Sequence, residues 1–315
     1  MSVGVLGAGA YGTALAVTLA RTQPVALWGR DADHMAEMEQ ARCNDKRLPG
    51  VSFPDDLTIL PNLGTVLAQD IVLFAVPMQS LGSLVRLHDL SGVTAVACCK
   101  GIDIATGQGP TALLAKAATT AVLTGPSFAI DIAQGLPTAL TLACQDAGQA
   151  EMLQARLSTP TLRLYRSPDV VGAELGGALK NVIAIGCGAV IGAGLGDSAR
   201  ATLLTRGFAE MQRVAAALGA APETLMGLSG LGDLTLTCSS DKSRNYRLGL
   251  ALGAGTEFDA ATTVEGAATA RALRAVAAKH ELDLPICATI ADLVDGTLDL
   301  QGAMARLMAR PLKEE

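Results

Sequence analysis

Through the first half of the chain, short and wholly apolar runs alternate with segments of helical periodicity. Val3–Leu6, Pro24–Trp28, Ile71–Val76, Thr94–Cys99 and Ala121–Leu123 are each bounded by glycine, proline or polar residues, and unbroken apolarity of that length predicts strands buried on both faces. Thr13–Arg21 and Ala32–Arg42 read as helices between them, and Thr138–Cys144 and Thr161–Tyr165 as later strands. Asn44–Asp56, with Pro49-Gly50 and Pro54, reads as an exposed loop. Strands alternating with helices predict a doubly wound, mostly parallel sheet. Beyond Tyr165 the pattern changes. Asp169–Gly196 is almost wholly apolar and keeps to no stripe, which predicts a helix buried on every side, with Asp169 as its N-cap. Ala199–Leu218 is a second helix, capped by Asp197-Ser198 and carrying an Arg206/Glu210 pair at i,i+4. Further helices open at Ser239–Arg247 and at Thr262–Gly266, and the segment from Leu282 is amphipathic. These elements predict an α/β domain over residues 1–168 and an all-α domain over 169–315.

Gly7-Ala8-Gly9-Ala10-Tyr11-Gly12 lies between the first strand and the first helix. In this setting G-x-G-x-x-G is a Rossmann-like dinucleotide fingerprint. Gly7 permits the tight turn, Gly9 lets a pyrophosphate approach the backbone, and Gly12 lets helix and strand pack closely. The helix N-terminus offers unpaired N–H groups to the phosphates. After the second strand and Gly29 comes Arg30, then Asp31. An arginine there suits the 2′-phosphate of NADP, which makes NADP the favoured cofactor and leaves NAD open. Ligands of such sheets bind beyond the carboxyl ends of the strands, which here supply Lys100, Gly125 and Ser127.

In the second half, Glu174, Gly177, Lys180 and Asn181 fall at spacings of three and four on one face of the long helix. An unpaired ammonium is very costly to bury, so Lys180 is read as a chemical group rather than a snorkelling one. Asp233, alone in the Gly-rich Gly227–Cys238 stretch, either caps a helix or anchors a lysine. Ser243 or Asp241 caps the next helix, and Arg244 and Asn245 in its first turn form a phosphate receptor. Glu265 is available to a cofactor amide or to a cap.

Lys and Arg number 24 against 30 Asp and Glu, a net charge of -6, which argues against a nucleic-acid surface. An anionic ligand must therefore be caught by local cations. The seven cysteines form no C-x-x-C pair, and Cys98-Cys99 reads as strand filling in a reduced, cytoplasmic protein. The three histidines are scattered, so no metal is expected. No charged leader precedes the first apolar run, so no signal peptide is read there. Val182–Gly196 falls short of the ~20 residues of a membrane span, and no transmembrane segment is expected.

Seven blocks together resemble the bacterial NAD(P)-dependent sn-glycerol-3-phosphate dehydrogenase family: GAGAYGTALA (7–16), CKGI (99–102), LTGPSFA (123–129), ELGGALKNVIAIG (174–186), GLGDLTLTC (230–238), KSRNYRLG (242–249) and TVEGAATA (263–270). The resemblance implies hydride transfer between a nicotinamide and dihydroxyacetone phosphate, giving sn-glycerol 3-phosphate for glycerophospholipid synthesis. It places Ala10, Tyr11, Arg30, Ala129, Thr263 and Glu265 at the dinucleotide, with Lys100 and Arg244 reaching both cofactor and substrate. It lines the substrate pocket with Gly125, Ser127, Asp233, Ser243, Arg244 and Asn245, beside Lys180 and its neighbour Asn181, and makes Lys180 the catalytic lysine. Ala10, Ser127 and Thr263 depart from the family's commoner residues. In this reading Lys180 protonates the forming alkoxide, burial lowers its pKa, Asp233 opposes that shift, and Lys100 adds positive potential. A homodimer is expected from the apolar surface of the helical half. Two other readings stay open: a 3-hydroxyacid or ketopantoate-type reductase acting on carboxylates, and a dinucleotide-sensing regulator without turnover.

Overall fold

A computed structural model describes residues 1–311. The chain divides into two compact units, one comprising residues 1–100 and 109–174, the other residues 101–108 and 175–315.

The first unit runs β1 (Val3–Leu6), α1 (Ala10–Ala20), β2 (Val25–Trp28), α2 (Ala32–Ala41), β3 (Cys43–Asn44), β4 (Leu48–Ser52), β5 (Leu57–Ile59), α3 (Leu63–Leu67), β6 (Ile71–Phe74), α4 (Met78–Arg86), β7 (Thr94–Ala97), α5 (Pro110–Leu113), β8 (Thr119–Thr124), α6 (Ala129–Ala133), β9 (Thr138–Ala143), α7 (Ala147–Leu157) and β10 (Leu162–Ser167). Eight strands form one sheet in the order β10-β9-β8-β7-β6-β1-β2-β5. Every pairing is parallel except β8 with β9. The chain leaves β1 first towards β2 and β5, then returns to β6 on the other side. That reversal is the switch point at which doubly wound sheets bind ligands, beyond the carboxyl end of β1. The central strands are buried on both faces, as their unbroken apolar runs require.

One expectation fails here. Asn44–Asp56 is not a bare loop: β3 and β4 pair antiparallel, and β5 then joins the main sheet beside β2. Leu48, Val51 and Phe53 are buried, and the buried Asn44 donates to Thr13 Oγ1 at 2.8 Å and to Ala8 O at 3.1 Å. Spaced apolar residues among prolines and a left-handed Gly50 conceal a hairpin that packs inward. Cys98 and Cys99 are buried free thiols, and desolvation pushes the Cys98 thiol far above its ordinary value, against any thiolate there.

The second unit is helical: α8 (Val170–Gly192, whose first turn belongs to the first unit), α9 (Gly196–Ala217), α10 (Pro222–Met226), a π-turn at Leu228–Gly232, α11 (Asp233–Thr237), α12 (Arg244–Ala254), α13 (Glu265–Lys279), α14 (Pro285–Val294) and α15 (Leu300–Met308). Asp169 Oδ1 accepts the Gly172 N–H and starts α8. Because α8 begins at Val170, it has the length and apolarity to cross a membrane, contrary to the shorter span read from Val182; 83% of its most apolar window is buried inside the protein. Glycines let it be surrounded so closely. A Cβ on Gly188 would lie 2.1 Å from Tyr246 O, and one on Gly249 would lie 2.0 Å from Ile185 O.

The second helix also departs from expectation. Neither Asp197 nor Ser198 caps it. Gly194 and Gly196 turn the chain at positive φ, Leu195 is the N-cap without a side-chain bond, and Asp197 pairs with Arg200 at 2.9 Å. Glu210 does not form the expected pair with Arg206. It is buried, and its two oxygens accept the Ile286 and Cys287 N–H groups at 2.7 and 2.9 Å, capping α14, while Arg213 approaches to 3.8 Å. Burial pushes the Glu210 carboxyl up, and those two N–H groups pull it back.

Candidate active site

In the first unit the three fingerprint glycines take three distinct environments. Gly7 has φ 118° and presses against Ala75 O, where a Cβ would lie at 2.5 Å. Gly12 packs on Gly7, and a Cβ there would lie 1.9 Å from Gly7 O. Around Gly9 nothing lies within 4 Å of the place a Cβ would take. That free approach sits where Gly9 forms the N-cap of α1 without a side-chain bond, and no acidic residue occupies the first turn. The residues present therefore fit a pyrophosphate: open backbone, orphan N–H groups and the positive end of a helix. Ala10 is the first residue of α1.

Arg30 is exposed just past the end of β2. Asp31 is occupied as the N-cap of α2, where the His34 N–H at 3.1 Å holds its carboxyl below the ordinary value. Four other anticipated residues converge beyond the ends of β7 and β8. Lys100 Nζ donates to Gly125 O at 3.3 Å and lies 5.9 Å from the centre of the Tyr11 ring. Ser127 Oγ donates to Gly125 O at 3.2 Å and lies 3.4 Å from Tyr11 Oη. Gly125 holds φ 139°, which only glycine adopts readily. Ala129 opens α6 on the same loop. Glu174, grouped by spacing with Lys180, stays in the first unit instead. It accepts the Thr111 N–H at 2.6 Å, and burial pushes its carboxyl up against that bond.

In the second unit Lys180 is 6% exposed, so it does not snorkel. Its Nζ donates to Asp233 Oδ1 at 2.6 Å and to Thr237 Oγ1 at 2.8 Å, and the Thr237 hydroxyl lies 3.3 Å from the same carboxylate oxygen. Asp233 therefore anchors the lysine. It stands at the start of α11, directly after the π-turn, with Thr237 one turn further on the same face. Thr237 is not among the residues anticipated from the sequence, and its part shows only in this contact. The π-turn is fixed by close packing: a Cβ on Gly176 would lie 2.4 Å from Ser229 O, and one on Gly230 would lie 2.0 Å from Leu225 O. Asp233 follows this turn directly, and single π-turns of this kind recur at functional sites.

Ser243 is the N-cap of α12, its Oγ accepting the Tyr246 N–H at 3.2 Å. Arg244 is exposed at the first position of that helix, and Asn245 follows it half-buried. Asn245 Nδ2 donates to Asn181 Oδ1 at 3.0 Å, and Asn245 Oδ1 accepts the Gly266 N–H at 2.9 Å. The second unit thus brings Asp233 and Thr237 to the Lys180 ammonium, and Asn181, next to Lys180 in the chain, is joined to Asn245. Thr263 and Glu265 flank Val264 at the start of α13. Among the described residues, no group of three or more His, Cys, Asp or Glu is placed to hold a metal ion.

Two family models cover most of the chain. The N-terminal part of NAD-dependent glycerol-3-phosphate dehydrogenase matches residues 2–150, and its C-terminal part matches residues 169–305. A glycerol-3-phosphate dehydrogenase [NAD(P)+] of Ruegeria sp. (strain TM1040) is 58% identical over all of both chains. The chain belongs to the NAD-dependent glycerol-3-phosphate dehydrogenase family. A solved family member, the glycerol-3-phosphate dehydrogenase of Coxiella burnetii, is 35% identical and superposes with a TM-score of 0.93, covering 98% of this chain and 99% of that one. A D-mandelate dehydrogenase solved with NADH is 16% identical with a TM-score of 0.64 over 94% of this chain and 98% of that chain, and shares the fold alone.

Proposed function

We propose that this chain interconverts dihydroxyacetone phosphate and sn-glycerol 3-phosphate with NADPH or NADH, supplying glycerol 3-phosphate for glycerophospholipid synthesis. The observation that carries the chemistry is Lys180, buried yet held by Asp233 Oδ1 and Thr237 Oγ1. When bound, the nicotinamide would supply the hydride that reduces carbon 2 of the ketone. Lys180, as an ammonium, polarises the carbonyl and delivers a proton to its oxygen as negative charge develops. In the reverse direction the neutral amine takes the alcohol proton. Asp233 and Thr237 fix the direction of the Nζ–H bonds, so the donor is aimed before the reaction begins.

Arg244 and the α12 start at Ser243 bind the substrate phosphate, with Asn181 and Asn245 beside them, and that remote binding orients the ketone. Residues 1–168 form the dinucleotide domain: Gly7, Gly9, Ala10, Tyr11 and Gly12 receive the pyrophosphate side, Arg30 the 2′-phosphate of NADP, and Ala129 the adjoining backbone. Residues 169–315 form the substrate and catalytic domain, to which Thr263 and Glu265 add cofactor contacts. Lys100, Gly125 and Ser127 are assigned to substrate binding on the family resemblance. The working form is a cytoplasmic homodimer.

The test is loss of nicotinamide absorbance when NADPH and NADH are titrated separately against dihydroxyacetone phosphate. Turnover on that ketone, with NADPH preferred, is the expected result. Preference for a 2-keto acid would install the carboxylate reductase in its place, and NADPH binding without turnover on any ketone would install the regulator.

A further inference from the structure

Helix α13 starts with a residue that cannot cap it. Its N-cap, Val264, has no side-chain oxygen and makes no side-chain cap bond, yet the first N–H groups of a helix need acceptors. The acceptor for Gly266 comes from another helix: Asn245 Oδ1, in the first turn of α12, at 2.9 Å. The opposite end of that amide donates to Asn181 Oδ1 at 3.0 Å, on α8 beside Lys180. The junction has no slack. A Cβ on Gly266 would lie 2.5 Å from Asn181 O and 2.7 Å from Asn245 Oδ1. One primary amide therefore ties together the start of α12, the start of α13 and the turn of α8 that carries the lysine.

We infer that Asn245 is a positioning residue that makes occupation of the α12 start by the substrate phosphate and occupation of the α13 start by the dinucleotide mutually dependent. The inference rests on the proposed function for which ligand each helix start takes. A ligand that fixes either start fixes the other through the shared amide, so the second ligand meets a site already ordered. Linkage makes the effect equal in both directions. A residue that merely touches the phosphate lowers its affinity by the same factor whether or not the dinucleotide is present. A strut changes the ratio of the two affinities.

The experiment is calorimetric titration of sn-glycerol 3-phosphate into the full chain with and without saturating NADPH, a pair in which both partners are reduced and no hydride moves. Wild type is expected to bind the phosphate ester about fivefold or more tightly with NADPH present. Asn245→Ala brings that ratio to about one, and Asn181→Ala, which removes the anchor orienting the amide, lowers it in the same direction. If Asn245→Ala does not fold, as its thermal melt would show, Asn181→Ala carries the comparison. A wild-type ratio of one, or variants that weaken binding while keeping the wild-type ratio, would overturn the coupling alone. Wild-type protein that binds neither ligand would overturn the functional reading and the coupling with it.

Discussion

Lys180 delivers its charge to two oxygens of a single helix, and the two do different work. Asp233 is buried and balances the ammonium, so removing it leaves an unpaired buried charge. Thr237 adds a neutral acceptor 2.8 Å away and fixes a second N–H direction. Lys180→Ala is therefore expected to lower kcat by about 10³-fold or more, with NADPH affinity in equilibrium titration within a few-fold of wild type. Thr237→Val keeps the shape and the ion pair but frees one N–H direction, and it should lower kcat about 10-fold with KM little changed. Near-normal turnover in Lys180→Ala would remove it from the chemistry. At this scale the lysine was legible because a cation amid small apolar residues has few structural reasons to be there. Its partner Asp233 was legible only as one of two alternatives, since nothing local tells a cap from a counter-ion. Thr237 was hidden because threonine in a helix is ordinary, and only the fold places it against Lys180.

Glycine sets how closely the helices of the second unit approach. Gly188 and Gly192 on α8 face Gly249 and Gly253 on α12, and each would place a Cβ 2.0–2.2 Å from a backbone oxygen of the opposing helix. Such contacts are with backbone, so no rotamer change relieves them. Gly249→Ala should cost about 3 kcal/mol and lower the melting temperature by about 6 °C or more, read by thermal denaturation. An unchanged melt would mean the helices sit further apart than the structure has them. The sequence showed that α8 is surrounded, because its apolar residues keep to no stripe, but not which helix lies against it. Glu210 marks the same limit. An i,i+4 spacing suggested a partner on its own helix, while the carboxylate caps α14, some 76 residues away in sequence. Its carboxyl is raised by burial, so its contribution to stability is fully present below the ordinary glutamate value and is lost as pH rises through the folded value. Wild type should therefore lose melting temperature relative to Glu210→Gln as pH rises above the ordinary glutamate value of about 4.3. A gap that moves the other way would show that the two N–H groups outweigh burial.

The molecule as a whole is acidic, with a net charge of -6, yet both of its proposed ligands are anions. The sequence made that tension plain, and it located the fold class through the strand–helix alternation and the fingerprint at residue 7. It could not say which field an arriving phosphate feels, because that depends on distances. The net charge is a sum over the whole chain, whereas Arg244 stands exposed at the first position of α12, next to that helix's positive end. Coulomb energy falls with distance, and at physiological salt the Debye length is about 8 Å, so distant carboxylates are screened before the arginine in contact is. At about 0.01 M salt that length grows to roughly 30 Å and the distant carboxylates count as well. The two fields thus give opposite salt dependence. If the local cation dominates, kcat/KM for dihydroxyacetone phosphate at saturating NADPH falls as ionic strength rises; if the net charge dominates, it climbs. The expected result is a fall of about threefold between about 0.01 M and 0.15 M in wild type. In Arg244→Ala the KM should be raised throughout and the slope should flatten or reverse, because the local attraction has gone and only the repulsion remains to be screened. A wild-type kcat/KM that climbs with salt would mean that Arg244 does not govern phosphate capture.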